Sequence, residues 1–138
     1  MKISIDSNQF IFGIGGIDPA SELLMSLLPV LEVILPRLVI KEVNRNLTET
    51  QRKLLFKLFN KCSKLTIIDN PVPIDIVQKY IKLGLPEKAD AFIGAFVEWQ
   101  EIQIFISDNR HFLNELSGSQ FEVLKPYEFL NRFYQMAT

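Results

Sequence analysis

The apolar positions of this chain fall into short β-branched runs separated by longer stretches with helical spacing. Lys2 to Asp6 alternates little and is rich in isoleucine, as expected of a strand covered on both faces. Beyond the Gly-rich turn Gly13 to Gly16, Ser21 to Leu28 predicts a helix capped by Asp18 or Ser21. Glu32 to Leu35 predicts a short strand, and Pro36 opens a helix reaching about Asn46. Thr48-Glu49-Thr50 starts another helix, running to about Cys62, with Phe56 and Phe59 facing inward. Lys64 to Ile68 reads as a strand closed by Asp69-Asn70-Pro71. Ile74 to Leu83 and Pro86 to Gln100 are helical, separated by the stop signal Gly84. Ile102 to Ile106 is the second strong strand, followed by a short helix from His111 to Leu116, a last strand from Phe121 to Leu124 and a closing helix from Pro126 to Met136. Strands alternating with helices in this way predict a three-layer α/β/α sandwich with a central, mainly parallel sheet.

Composition narrows the class. A length of 138 residues fits a single domain, 1–138, and 48% hydrophobic residues including 11 Phe supply a core too large for a disordered chain. Leu23 to Ile40 is apolar over the length of a membrane span, but Glu32, Arg37, Pro29 and Pro36 break it into buried elements instead. The start of the chain enters a strand with no basic segment ahead of an apolar one, which predicts a cytoplasmic location. The lone cysteine, Cys62, excludes an intramolecular disulfide and a cysteine zinc cluster, and reads as a small buried residue. A net charge of −1 provides no general field for nucleic acid, so a polyanion would have to be held locally.

Candidate chemistry lies where the two strong strands end. The first runs into Asp6-Ser7-Asn8 and the second, through Ser107, into Asp108-Asn109. Parallel strands place both carboxylates at the carboxyl edge of the sheet, where open α/β sheets put their sites. Crowded carboxylates with no Lys or Arg in either motif suggest a hard divalent cation, Mg²⁺ or Mn²⁺. Taken singly, Asp6 and Asp108 are explained equally well as helix or turn caps. Asp90 is a third candidate. At roughly 100° per residue, Ala89, Phe92, Ile93, Phe96 and Val97 form one apolar arc with Asp90 on its rim. Gly94, one turn later, leaves space above it, while Glu87 and Glu98 point to solvent. Glu42 is a fourth, an acid inside the apolar run Leu38 to Val43, though an ordinary surface Glu fits that pattern as well.

Asp6-Ser7-Asn8, then Glu42, then Asp90-Ala91-Phe92-Ile93-Gly94-Ala95, then Ser107-Asp108-Asn109-Arg110-His111-Phe112, in this order and spacing, resemble the PIN domain family (PilT N-terminal domain), which includes the VapC-type toxins of toxin–antitoxin pairs. The resemblance spans nearly the whole chain. It implies a metal-dependent ribonuclease with Asp6, Glu42, Asp90 and an acid of the Ser107 to Asn109 segment as its quartet, and with Asn8 and Ser107 as supporting residues. Family members often carry the last acid two positions after the Ser or Thr, and that slot here is Asn109, with Asp108 one residue earlier. Either Asp108 supplies the carboxylate in a shifted geometry or Asn109 leaves three acids. In the implied reaction a metal-activated water hydrolyses a phosphodiester, and the acids act as ligands. His111 is expected to orient or to lie at the surface rather than to act as a base. Lys41, Lys88 and Arg110 adjoin candidate acids and are the expected RNA contacts; Lys53, Lys57, Lys61 and Lys64 form a helical stripe that reads first as a solvated face. The partners implied are RNA, an antitoxin protein and a second copy of the chain. Two other readings remain: a catalytically degenerate binding module of the same fold, kept open by Asn109, and a haloacid-dehalogenase-like phosphatase, disfavoured because Asn8 stands where that chemistry needs a second acid.

Overall fold

The computed structural model describes residues 1–85 and 87–137. Strand β1 (Lys2–Ile5) lies at the centre of a five-stranded, wholly parallel sheet with β2 (Glu32–Pro36), β3 (Leu65–Ile68), β4 (Ile104–Ile106) and β5 (Glu122–Leu124), in the order β3-β2-β1-β4-β5. The helices are α1 (Ser7–Ile14), α2 (Pro19–Leu27), α3 (Arg37–Asn46), α4 (Glu49–Asn60), α5 (Ile74–Lys82), α6 (Lys88–Trp99) and α7 (Pro126–Ala137), with a π-helical turn at His111–Glu115. Right-handed crossovers fix the layers. From β1 to β2 to β3 the chain steps one way and leaves α1 to α4 on one face; from β3 it crosses back to β4, so α5 and α6 cover the other. Helix α7 joins the first layer by packing on α2. The α/β/α sandwich with a parallel sheet is the expected architecture.

Both faces of β1 are covered, which explains its unbroken apolar run: Ile3 and Ile5 are buried, and so is Ser4, whose hydroxyl donates to the Ile34 carbonyl at 2.6 Å. Helix α2 is capped by Asp18, which accepts from the backbone and hydroxyl of Ser21, and α4 opens with a capping box between Thr48 and Gln51. Among the described residues no single helix is long and apolar enough to cross a membrane.

Several expectations are corrected. Helix α1 occupies residues that the sequence pattern left to the approach of a turn. Asp6 is its N-cap, and Gly16, at φ +69°, ends it in the left-handed conformation that a side chain disfavours. Phe56 points outward at 69% exposure, whereas Phe59 packs edge-on against Phe10, 5.9 Å between ring centroids. Ala89 is exposed, and the buried face of α6 is centred instead on Ala91, Ile93, Gly94, Ala95, Phe96 and Val97. Gly94 leaves no free space: a Cβ there would stand 2.8 Å from Tyr80 Cδ1 and 2.9 Å from Leu85 Cδ1, so the glycine admits α5 against α6. Glu98 is not solvated either; its Oε1 accepts from the Tyr80 hydroxyl at 2.9 Å and from Lys79 Nζ at 2.6 Å. Pro86, with which the helix was expected to begin, lies outside the described residues.

Candidate functional site

Strands β1 and β4 are neighbours in register, Ile5 beside Ile106, and the chain turns opposite ways on either side of them. That reversal opens a crevice at their carboxyl ends. Asp6 sits in it, 7% exposed and held from both strands. Its backbone N–H donates to the Ile106 carbonyl at 2.9 Å, its Oδ1 accepts from Ser7 N at 2.8 Å, and its Oδ2 accepts from Ser107 Oγ at 2.8 Å. Glu42, half-buried on α3, accepts from the Ser7 hydroxyl through Oε2 at 3.3 Å, while its Oε1 is buried without a partner. Asp90, in the first turn of α6 and half-buried, faces Asn109, whose Nδ2 stands 3.5 Å from Asp90 Oδ1.

The electrostatics follow from this crowding. Burial raises the Asp6 carboxyl from 3.8 to about 6; the Ser107 and Ser7 hydrogen bonds oppose the rise, and the charges of Glu42 and Asp90 add to it. Burial also raises Asp90, and Glu87 and Glu115 push the same way against His111 and the Asn109 hydrogen bond. Another acid on this edge, Asp69 after β3, is treated differently. The Arg37 guanidinium donates to it at 2.7 Å and holds it below the usual carboxylate range. Among the described residues no Lys or Arg forms an ion pair with Asp6, Glu42 or Asp90.

Three carboxylates with no Lys or Arg paired to them among the described residues, one with an orphaned buried oxygen, fit a hard divalent cation in donor chemistry. As they stand, no three His, Cys, Asp or Glu side chains among the described residues are grouped closely enough to form a ready-made cage. A cation here would draw its remaining ligands from water and substrate, as Mg²⁺ commonly does.

The structure therefore brings Asp6, Glu42, Asp90, Ser107 and Asn109 together and leaves Asp108 and Asn8 exposed. Asp108 is not among the charges acting on Asp6 or Asp90. Beyond β4 the chain buries Ser107 and half-buries Asn109 while Asp108 between them stays exposed, and the Asn109 N–H, bonded to Ser107 Oγ, fastens the two together. Support for the acids comes from Ser7 rather than Asn8. Lys88, at the start of α6, and Arg110, after β4, are exposed on the carboxyl edge; the charge of Lys41 acts on Asp69. Lys64 precedes β3 and so lies at the amino edge, which leads the α4 lysine stripe away from the acids, and Lys53 lies 3.8 Å from Glu49. His111 is half-buried, its Nδ1 2.5 Å from Glu115 Oε2. Gln9, fully buried with both amide atoms unpaired, was not anticipated; a lone amide beside Phe10 and Ile11 was the available signal.

No protein-family model matches this sequence, and no curated protein matches it. Solved structures do. A chain of VapBC2 from Rickettsia felis, described bound to a DNA fragment from their promoter, is 15% identical with a TM-score of 0.63, over 91% of this chain and 98% of that one. FitAcB from Neisseria gonorrhoeae is 18% identical at a TM-score of 0.58 over the same shares, 91% and 98%. PAE2754 from Pyrobaculum aerophilum is 14% identical at 0.63, over 98% of this chain and 96% of that one. At such identities the likeness establishes architecture, and this chain has the PIN-like α/β/α fold of those proteins.

Proposed function

We propose that the protein is a metal-dependent ribonuclease acting as the toxin of a toxin–antitoxin pair. The observation that carries the reading is the meeting of Asp6, Glu42 and Asp90 at the crevice between β1 and β4, with no Lys or Arg among the described residues paired to any of them. Asp6, Glu42 and Asp90 would hold Mg²⁺ or Mn²⁺, which when bound lowers the pKa of water and neutralises charge on a phosphate. Water adds to phosphorus, one ester P–O bond breaks, and the proton released by the water ends on the leaving oxygen. The chain's own residues position the acids. The Ser107 hydroxyl and the Ser7 N–H each fix one oxygen of Asp6, and Ser7 Oγ steadies Glu42. Exposed Lys88 and Arg110 on the same edge, with Lys41 on α3, would receive the flanking phosphates. RNA as substrate rests on the motif resemblance, and an antitoxin partner on that resemblance together with VapBC2 among the solved structures of this fold.

The test is cleavage of structured and unstructured RNA by wild type and Asp90→Asn in Mg²⁺, Mn²⁺ or EDTA. Cleavage that needs the metal and disappears in the variant is expected. Absence of cleavage by wild type in every condition, or equal cleavage by both, replaces this reading with that of a degenerate binding module. Copurification with the product of an adjacent short reading frame tests the partner.

A further inference from the structure

We infer that Asn109 is a locked hydrogen-bond donor in the place of a fourth acid, and that the crevice is consequently built for one divalent cation rather than two. The inference rests on the metal-dependent reading above.

Asn109 is fixed from two sides. Its backbone N–H donates to Ser107 Oγ at 3.0 Å, and the Ser107 hydroxyl in turn donates to Asp6 Oδ2 at 2.8 Å. Its side-chain Oδ1 accepts from the backbone N–H of His111 at 2.9 Å. An amide has one oxygen and one NH₂. With the oxygen committed to a backbone donor, the NH₂ necessarily faces Asp90 Oδ1, at 3.5 Å. Turning the amide over would set NH₂ against the His111 N–H, donor against donor, and would place two acceptor oxygens together at Asp90. The network therefore decides the orientation.

The NH₂ that Asn109 turns toward Asp90 has no lone pair to offer a cation. It does for Asp90 part of what a second ion would do, because an N–H aimed at a carboxylate favours its charged form. Ions of a two-metal site stand roughly 3.5–4 Å apart and need anionic oxygens around both. Three carboxylates carry at most three negative charges against the four positive charges of two divalent ions, and Asp108, the nearest acid in sequence, is exposed and outside the cluster. One ion with a shell of water and phosphate oxygen matches the donors present.

Asn109→Asp is the informative variant, because an aspartate oxygen can still accept from His111 N–H and so keep the turn. Mn²⁺ bound to metal-free wild type and to Asn109→Asp is counted by calorimetry, and RNA cleavage is measured on the same samples. One ion in wild type, and either a second ion or at least tenfold tighter binding in Asn109→Asp, is the expected result. Two ions in wild type, none, or an unchanged count and affinity in the variant overturns the inference. Should Asn109→Asp fail to fold, the wild-type count alone decides. Cleavage by wild type with two ions bound sinks the inference and keeps the nuclease; one ion bound without cleavage does the reverse.

Discussion

Replacing Asp6 with Asn should stabilise the metal-free protein at neutral pH, and the gain should vanish in acid. In the folded state this carboxyl is raised from 3.8 to about 6, chiefly by burial and further by Glu42 and Asp90. Between those two values the folded protein keeps a proton that the unfolded chain has released. The stability contributed by the group is therefore fully present below 3.8 and lost as the pH rises through about 6. At about 1.4 kcal/mol per pH unit the loss approaches 3 kcal/mol above pH 7. Asn carries no charge, so the variant escapes this cost. It retains one acceptor oxygen for the Ser7 and Ser107 donors where the carboxylate has two, a loss of about 1 kcal/mol. The net expectation is a variant about 1–2 kcal/mol more stable than wild type near pH 7.5, and no more stable near pH 4. Urea unfolding in EDTA at the two pH values reads the difference. Equal differences at both, or a variant less stable at pH 7.5 than at pH 4 relative to wild type, would refute the argument that buried charge at Asp6 opposes folding. Returning Mg²⁺ or Mn²⁺ at pH 7.5 should raise the stability of wild type by about 1.4 kcal/mol at tenfold above Kd and leave Asp6→Asn unmoved.

Asp108→Asn, at an exposed carboxylate outside the cluster, should keep metal binding and RNA cleavage within twofold of wild type; loss comparable to that of Asp90→Asn would restore Asp108 to the site. Gly94→Ala should cost about 1–3 kcal/mol, because the added methyl meets the fully buried Tyr80 ring and Leu85, an overpacking that outweighs the gain of up to about 1 kcal/mol from helix propensity. An unchanged urea midpoint would show that the α5–α6 contact has slack.

Much of the fold is legible in the sequence because strand cores and caps leave local marks. The β-branched runs that become β1 and β4 are buried on both faces, and Thr48-Glu49-Thr50 marks the start of α4, where Thr48 is the cap and Gln51 completes a capping box. What escapes is set by tertiary contact. Helix α1 is short and mostly apolar, and its glycines advertise a turn; only the docking of Gly13 against the Ser21 carbonyl and Met25 shows why one of those glycines lies inside the helix. Glu98 reads as a surface acid until Tyr80 and Lys79, from α5, reach it. Phe56 reads as core because it is a large aromatic one turn before Phe59, yet its other neighbours at helical spacing are Arg52, Lys53 and Asn60, and Leu55 takes the buried position of α4.

The carboxyl edge itself supplies the contrast that gives the acid cluster its meaning. Two of its acids directly follow strands. Asp69, after β3, is exposed, paired with Arg37 and lowered in pKa, the ordinary fate of a carboxylate at a strand end. Asp6, after β1, is buried, receives only neutral donors, and is raised toward neutrality by that burial, with the acids opposite adding to the rise. A fold able to place Arg37 beside one acid could place a cation beside the other, and a single Asn would remove the cost altogether. Ser7, Ser107 and Asn109 instead hold the carboxylates in position without neutralising them. That arrangement opposes folding at neutral pH, and a divalent cation bound there would offset the cost.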